Sequence, residues 1–152
     1  AEKIVQNKSK KLDPYQRIEI LEKAAHLLTN RIEEFTICAA QEGGKPYADS
    51  KIEVERAIDG IKIAIRTIPQ MHGEEIPMGL TKASIDRIAF TRRQSSGICL
   101  AISAFNHPLN LIVHQVIPAV AVGCPVIVKP ANTTPISCFK FLDLLYDLKK
   151  LK

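Results

Sequence analysis

The chain has 152 residues, the usual size of one domain, and it is long enough to bury a hydrophobic core. Its formal net charge of +5 is mild, and basic residues are spread along the sequence apart from a cluster near each end. Without a basic stripe interleaved with aromatic residues, the composition argues against a nucleic-acid partner. No apolar run is long enough to span a membrane.

The four cysteines lie in apolar segments and form no Cys-x-x-Cys pair. This pattern suits buried free thiols in a reducing compartment better than zinc ligands or disulfides. The histidines show no metal-ligand spacing either. With no signal peptide in view, we expect a cytoplasmic protein that needs no metal site.

The first part of the chain predicts helices. Residues 1–12 are polar and lysine-rich, consistent with a frayed helix. Asp13 followed by Pro14 is typical of a helix start. Asn30 can cap a second helix, and a third helix is expected over about 47–67. Apolar residues recur at helical spacing in these three segments, namely Ile18, Leu21, Ala25 and Leu28, then Ile32, Phe35, Cys38 and Ala39, then Val54, Ile58, Ile61, Ile65 and Ile68.

Residues 85–94 show a different pattern, in which apolar and polar side chains alternate. This alternation predicts a strand with Ile88 and Phe90 on one face and residues such as Arg87 on the other. A strand of this kind exposes an apolar face and a backbone edge. We therefore expect another chain, or another part of a larger protein, to cover it.

Two short apolar segments, residues 98–104 and 125–128, each predict a buried strand. A helix is expected between them, with Gly123 at its end, and another after Thr134 as N-cap. Strand, helix and strand with short joints predict two parallel, neighbouring strands. The apolar positions of the two helices are Leu111, Ile112, Ala119 and Val122, then Phe139, Leu142, Leu145 and Tyr146, with Gln115 on the first face.

Polar side chains stand where both predicted strands end. Asn106 follows the first strand and Lys129 ends the second. Open α/β sheets bind ligands at this edge. Taken singly, Asn106 is also what an ordinary turn would contain, and Lys129 is also what an exposed strand end would contain.

The same stretch resembles the aldehyde dehydrogenase superfamily. In that family a strand ends in Pro-Phe-Asn-x-Pro, a helix in Pro-Ala-x-Ala-x-Gly and a strand in Val-x-Lys-Pro. The matching residues here are 104–108, 118–123 and 126–130, in the same order.

The resemblance continues upstream to about Arg17. The family's Arg-x-x-x-Leu helix and Glu-x-Gly-Lys-Pro turn match residues 17–21 and 42–46. The family's long helix with an early glutamate follows, and here that residue is Glu53 or Glu55. The glycines of the turn lack the spacing of a phosphate-binding loop, so we interpret them as a helix stop.

The resemblance implies an α/β fold made of N-terminal helices and the first βαβα part of a parallel, Rossmann-like cofactor-binding sheet. Residues 1–69 would be the helical part of the cofactor domain. Residues 70–96 would be a β arm for oligomerisation, and residues 97–152 the first βαβα unit of an incomplete NAD(P)-binding domain. The implied partner is another copy of the parent enzyme, in a homodimer or homotetramer.

The resemblance also implies roles for individual residues. Asn106 matches the family asparagine that stabilises the oxyanion formed when a cysteine thiolate attacks the aldehyde, a task that a neutral amide performs without titrating. Lys129 matches the lysine that binds the adenosine ribose of NAD or NADP. Ser103, Ala104 and Phe105 match positions along the nicotinamide half, with Ala104 in place of the usual proline.

Departures from the family pattern bear on specificity. Asn132 stands where many members have a glutamate that repels a 2′-phosphate, so both NAD and NADP stay open. Gln115 replaces a lysine of the joining helix. Four residues next to Asn106 match the face that lines the family's substrate tunnel, and they are His107, Asn110, Leu111 and His114. This polar face either bonds to the backbone or binds a short hydroxylated or anionic aldehyde.

The residues that carry the family's covalent chemistry are not found here. None of the cysteines has the Gly-Gln-x-Cys context, and in the family the nucleophile, the general-base glutamate and the glycine-rich motif lie downstream. The chain therefore resembles the N-terminal third of an NAD(P)-dependent aldehyde dehydrogenase, without the residues that normally precede the first helix. We expect the segment alone to be inactive, and the alternative is a non-catalytic remnant or interaction module with the same fold.

Overall fold

The computed structural model describes residues 11–150, with side chains described as far as Leu148. The helices are α1 (Pro14–Asn30), α2 (Ile32–Gly43), α3 (Tyr47–Thr67), α4 (Pro108–Ala121) and α5 (Ile136–Lys150). The strands are β1 (Glu75–Ile76), β2 (Ala89–Phe90), β3 (Cys99–Ile102) and β4 (Val126–Lys129). Single 3-10 turns cover Ile68–Gln70 and Lys82–Ser84. The frayed helix expected over residues 1–12 lies mostly outside the described residues, and residues 11 and 12, which are described, are not helical.

The three predicted N-terminal helices are confirmed. The backbone N–H of Asp13 donates to Gln16 Oε1 at 2.9 Å, and Pro14 occupies the first helical position. Gly44 ends α2 in a left-handed conformation, with φ of 59°. The prediction that Asn30 caps α2 is wrong: Asn30 is the last residue of α1, and Arg31 holds the N-cap position because the backbone turns there, its N–H donating to Leu28 O.

One hydrophobic core joins the N-terminal helices to β3, α4 and α5. The predicted inward stripes of α1, α2 and α3 are buried, except that Ile18, Ile32 and Ile65 are only partly buried and pack against the edge of the core. The phase expected for α5 is wrong, because Phe139 and Tyr146 are exposed. The larger apolar side chains that α4 and α5 bury are Leu109, Ile112, Val113, Val116, Ile117, Phe141, Leu144 and Leu148, and the smaller Ala119 and Cys138 are buried with them. Helix α5 carries apolar residues on two faces, so spacing alone did not decide which one packs inward.

Strands β3 and β4 are parallel neighbours, as predicted, with Ala101 opposite Val128. Helix α4 links them and packs on one face of the pair, where Ala101 is buried. The expectation that both strands are buried is wrong for the other face, where Leu100, Ile102 and Ile127 are 64%, 56% and 51% exposed. Parallel sheets normally carry helices on both faces, and within residues 11–150 only one face is covered.

The arm is a short antiparallel ladder of β1 and β2 rather than one long strand. The Thr91 N–H extends it by donating to Glu74 O at 2.8 Å. A side chain at Gly73 would overlap the carbonyl oxygen of Thr91, so only glycine fits there. Ile88 and Phe90 are 88% and 73% exposed. That a partner chain covers these two side chains stays a prediction.

Helix α5 is capped by a residue from a different helix. Glu42, near the end of α2, accepts hydrogen bonds from the backbone N–H groups of Ile136 (2.7 Å) and Ser137 (2.9 Å). The prediction that Thr134 is this cap is wrong, because its hydroxyl donates to Phe105 O at 3.2 Å instead. A carboxylate at a helix N-terminus satisfies free N–H groups and opposes the helix dipole.

Replacement of Glu42 tests this cap. Glu42→Ala should lower the free energy of unfolding by about 1–2 kcal/mol, because two N–H groups of α5 lose their acceptor. Urea denaturation of the chain measures the change. Gln41→Ala is the matched control, since Gln41 is an exposed neighbour on the same helix. Equal losses in the two variants would contradict the cap.

Candidate active site

The candidate site lies at the carboxyl ends of β3 and β4. Ile102 pairs with Lys129 in the parallel register, and the Ser103 N–H donates to Lys129 O at 3.0 Å. The loops after the two strands are therefore adjacent. The bond from Thr134 to Phe105 O ties one loop to the other.

Lys129 and Asn132 form the polar pair at the end of β4. Lys129 Nζ donates to Asn132 Oδ1 at 3.2 Å and to the carbonyl of Pro130 at 3.3 Å. Both of these acceptors are neutral, so they do not cancel the ammonium charge. Lys129 is exposed, and an ammonium beside an amide can bind hydroxyl groups or a phosphate. This donor set fits the ribose end of NAD or NADP.

The residues predicted along the nicotinamide half follow β3 directly. Ser103 is buried and its hydroxyl donates to Ala104 O at 3.1 Å. Ala104 and Phe105 are exposed at the same sheet edge as Lys129. The structure therefore brings the predicted cofactor residues together in two adjoining loops, and their contacts with a cofactor stay predictions.

Asn106 is exposed in the loop between β3 and α4. Gln115, on α4, anchors the start of this loop by donating from Nε2 to Ile102 O at 2.9 Å. The Thr134 hydroxyl holds the middle at Phe105, and Pro108 begins the helix two residues after Asn106. The polar amide is therefore carried by a loop that is fixed on both sides.

The structure decides between the two glutamates that the sequence left open. Glu53 is fully buried, whereas Glu55 is exposed. Glu53 Oε1 accepts from the N–H groups of Leu109 (2.8 Å) and Asn110 (3.2 Å) in the first turn of α4. Its Oε2 accepts from Lys45 Nζ at 2.6 Å. Sequence reasoning gave neither Glu53 nor Lys45 a role at the site, and the only signal was their match to family motifs.

The predicted substrate face begins at His107. Its Nδ1 lies 3.1 Å from Lys45 Nζ and 3.4 Å from Glu53 Oε2. Nδ1 accepts from the ammonium in one tautomer of the ring and can donate to the carboxylate in the other. Asn110 and Leu111 are half-buried and His114 is exposed beside α3, where a methyl group on Gly60 would lie 3.7 Å from its ring.

The opposite end of α4 is held by Arg17 of α1. The guanidinium donates to the carbonyl oxygen of Ala121, in the last turn. Gly123 follows with φ of 80°, and a side chain there would meet Arg17 at 3.5 Å. Burial lowers the pKa of Arg17, and nearby Asp13 opposes that shift. A cation at the C-terminal end of a helix stabilises its dipole.

The cysteines are free thiols and none is placed as an activated nucleophile. Cys38, Cys124 and Cys138 are buried and Cys99 is half-buried. Burial raises the pKa of Cys138 to about 11, and the nearby Glu42 carboxylate adds to the shift. Burial, and then a hydrogen bond with Cys124, raise the pKa of Cys99. A nucleophilic cysteine needs a lowered pKa.

Two further features are missing from the part of the chain that the structure describes. No group of histidine, cysteine and acidic side chains could hold a metal ion. No helix combines the length and the apolar character that crossing a membrane requires.

Parallel strands with polar loops at their carboxyl ends form the edge at which open α/β sheets bind ligands. The chain belongs to the aldehyde dehydrogenase family, whose family model matches residues 1–149. Its N-terminal helices and βαβα unit correspond to the N-terminal region of the Rossmann-like domain in solved members of the family.

Two relatives show how much of a full-length family member this chain covers. It is 42% identical over 134 residues to 3-sulfolactaldehyde dehydrogenase of Priestia megaterium, covering 88% of this chain and 28% of that protein. It is 33% identical over 143 residues to lactaldehyde dehydrogenase of Methanococcus vannielii, covering 93% and 30% respectively. The chain therefore spans less than a third of the length of these relatives.

Solved structures agree with the fold. Glyceraldehyde-3-phosphate dehydrogenase of Methanocaldococcus jannaschii, solved with NADP, superposes with a TM-score of 0.89 at 34% identity over 98% of this chain and 31% of that one. Aldehyde dehydrogenase 21 of Physcomitrella patens, solved with succinate, gives 0.87 at 34% identity over 93% and 29%.

The raised pKa of Cys138 predicts slow alkylation. At pH 8 its thiolate should be about 100-fold scarcer in the folded chain than in the unfolded chain, and iodoacetamide should label it at least that much more slowly. Mass spectrometry of labelled peptides, with and without urea, measures the ratio. Rapid labelling of any one cysteine in the folded chain would instead indicate an activated thiolate.

Proposed function

We propose that this chain is the N-terminal part of an NAD(P)-dependent aldehyde dehydrogenase that oxidises a short hydroxylated or anionic aldehyde to a carboxylic acid. The observation that carries the proposal is the placement of Asn106 and Lys129 in adjoining loops at one edge of a parallel strand pair. The relatives named for sulfolactaldehyde and lactaldehyde support a small polar substrate.

In this proposal the loop after β4 holds the adenosine end of the cofactor, through Lys129 and Asn132. Ser103, Ala104 and Phe105 flank its nicotinamide half. NAD or NADP, when bound, accepts the hydride. Because Asn132 carries no negative charge to repel a 2′-phosphate and Lys129 can donate to one, the pair accommodates a 2′-phosphate as well as a free ribose hydroxyl.

Asn106 stabilises the negative oxygen that develops on the aldehyde carbon after nucleophilic attack. Its amide needs no proton transfer, and a donor held by a fixed loop costs little reorganisation during the reaction. The substrate face on α4, formed by His107, Asn110, Leu111 and His114, offers polar groups to a hydroxylated or anionic aldehyde. The nucleophile comes from outside this chain, since no cysteine here has the Gly-Gln-x-Cys context and burial raises the pKa of both Cys138 and Cys99.

We further propose that the arm pairs with another copy in a homodimer or homotetramer, because Ile88 and Phe90 are exposed. Free thiols that are not paired as disulfides suit a cytoplasmic enzyme.

The second candidate function is a non-catalytic remnant or interaction module with the same fold. It is favoured only by the lack of a nucleophile in this chain. The coding sequence after Lys152 separates the two, because a continuing frame with Gly-Gln-x-Cys supports the enzyme and a stop supports the remnant.

The chain alone should be inactive. Purified 1–152 mixed with NAD or NADP and lactaldehyde should give no absorbance increase at the wavelength of the reduced nicotinamide. The control is the full-length protein that carries this chain, which should give one. Reduction of either cofactor by the isolated chain would contradict the assignment of the nucleophile to other residues.

Asn106 and Lys129 should affect different kinetic constants in the full-length protein. Asn106→Ala should lower kcat by about 100-fold or more and leave the cofactor KM nearly unchanged, because the amide acts on charge that develops in the transition state. Lys129→Ala should mainly raise the cofactor KM. Steady-state kinetics with both substrates varied measures the two effects. Near-normal kcat in Asn106→Ala would show that the resemblance carries fold but not mechanism.

Asn132 should govern the choice of cofactor. Asn132→Glu places a carboxylate beside Lys129, which should repel a 2′-phosphate and lower kcat/KM for NADP by about 10-fold or more relative to NAD. Asn132→Gln is the control, since it lengthens the side chain without adding charge. An unchanged NADP to NAD ratio in Asn132→Glu would place the 2′-position elsewhere.

A further inference from the structure

Glu53 accepts hydrogen bonds from free backbone N–H groups in the first turn of α4. Pro108 has no N–H, Leu109 and Asn110 donate to Glu53 Oε1, and Leu111 donates to His107 O at 3.0 Å. The N-cap residue His107 makes no side-chain cap of its own. A buried carboxylate from a different helix therefore does the work of the N-cap.

The same carboxylate ties three segments to one point. Glu53 lies on α3, its Oε2 accepts from Lys45 in the turn after α2, and His107 Nδ1 contacts the same ammonium. The side chain of Glu53 is fully buried, and a buried charge requires compensating partners. The geometry at the start of α4 is thus set by side chains that do not belong to the βαβα unit.

Asn106 lies next to this anchor, one residue before His107. The first-turn N–H groups of α4 are all engaged, so they are not free to bind a substrate oxyanion. The side-chain amide of Asn106 is an exposed donor at this helix start. Its position depends on the first turn of α4 remaining where Glu53 holds it.

We infer that Glu53 is a positioning residue for Asn106, supported by Lys45, in the aldehyde oxidation proposed above. Glu53 does not touch the reacting atoms. It fixes the first turn of α4, and through it the backbone that carries the amide. This inference rests on the proposed function, because it gives Asn106 the oxyanion role.

A double-mutant cycle in the full-length protein tests the inference. Glu53→Ala should lower kcat by about 10- to 100-fold with little change in the cofactor KM, since small displacements of a catalytic group cost that much. Glu53→Gln should lose less, because one amide oxygen can still accept from α4. In an Asn106→Ala background, neither substitution should reduce kcat further.

Glu55→Ala is the matched control, because Glu55 lies on the same helix and is exposed. Its kcat should equal that of the wild type. If Glu53→Ala does not fold, the cycle is run with Glu53→Gln alone. Equal losses in kcat with and without Asn106, or an unchanged kcat, would overturn the positioning role while the wild-type activity still supports the proposed function. A wild-type protein that oxidises no aldehyde with NAD or NADP would overturn both.

Discussion

The carboxylate of Glu53, buried between α3 and α4, is the interaction on which the site's geometry depends. It receives two backbone N–H groups and one ammonium, so its charge is compensated without water. Removing one partner of a buried pair of this kind costs roughly 3–5 kcal/mol, because the other charge is left unpaired. The contact therefore links the stability of the N-terminal helices to the placement of the loop that carries Asn106.

Side chains of the N-terminal helices hold both helices of the βαβα unit, by hydrogen bonds between charged groups and the backbone at helix ends. Glu53 and Arg17 hold the two ends of α4, and Glu42 holds the start of α5. Acidic groups stand at N-terminal ends and the basic group at a C-terminal end, as the helix dipole favours. Three positions that match family motifs thus act through helix ends, which gives a physical reason for their presence in this chain.

Local features of the fold were predictable because the residues that determine them are close in sequence. The apolar stripes of α1 to α3, the end of α2 at its glycines and the parallel pairing of β3 with β4 all followed from short-range patterns. The placement of Asn106 and Lys129 at one edge followed from the parallel pairing. Their contacts with ligands are not determined by these patterns.

Two features could not be predicted because a long-range contact decides them. Glu42 bonds to residues 94 and 95 positions later in the chain, and local spacing instead favoured Thr134 as the cap. The choice of Glu53 over Glu55 depends on which side of α3 faces α4. The open face of β3 and β4 escaped prediction because an apolar strand looks the same whether one face or both are covered.

Hydrogen exchange of the Leu109 and Asn110 amides in this chain tests the central contact most directly. In the wild type both amides should exchange slowly, since Glu53 accepts from them within the buried interface. Glu53→Ala should accelerate exchange at these two amides, while Glu55→Ala should leave them unchanged. Equally slow exchange in Glu53→Ala would show that the start of α4 does not depend on this carboxylate.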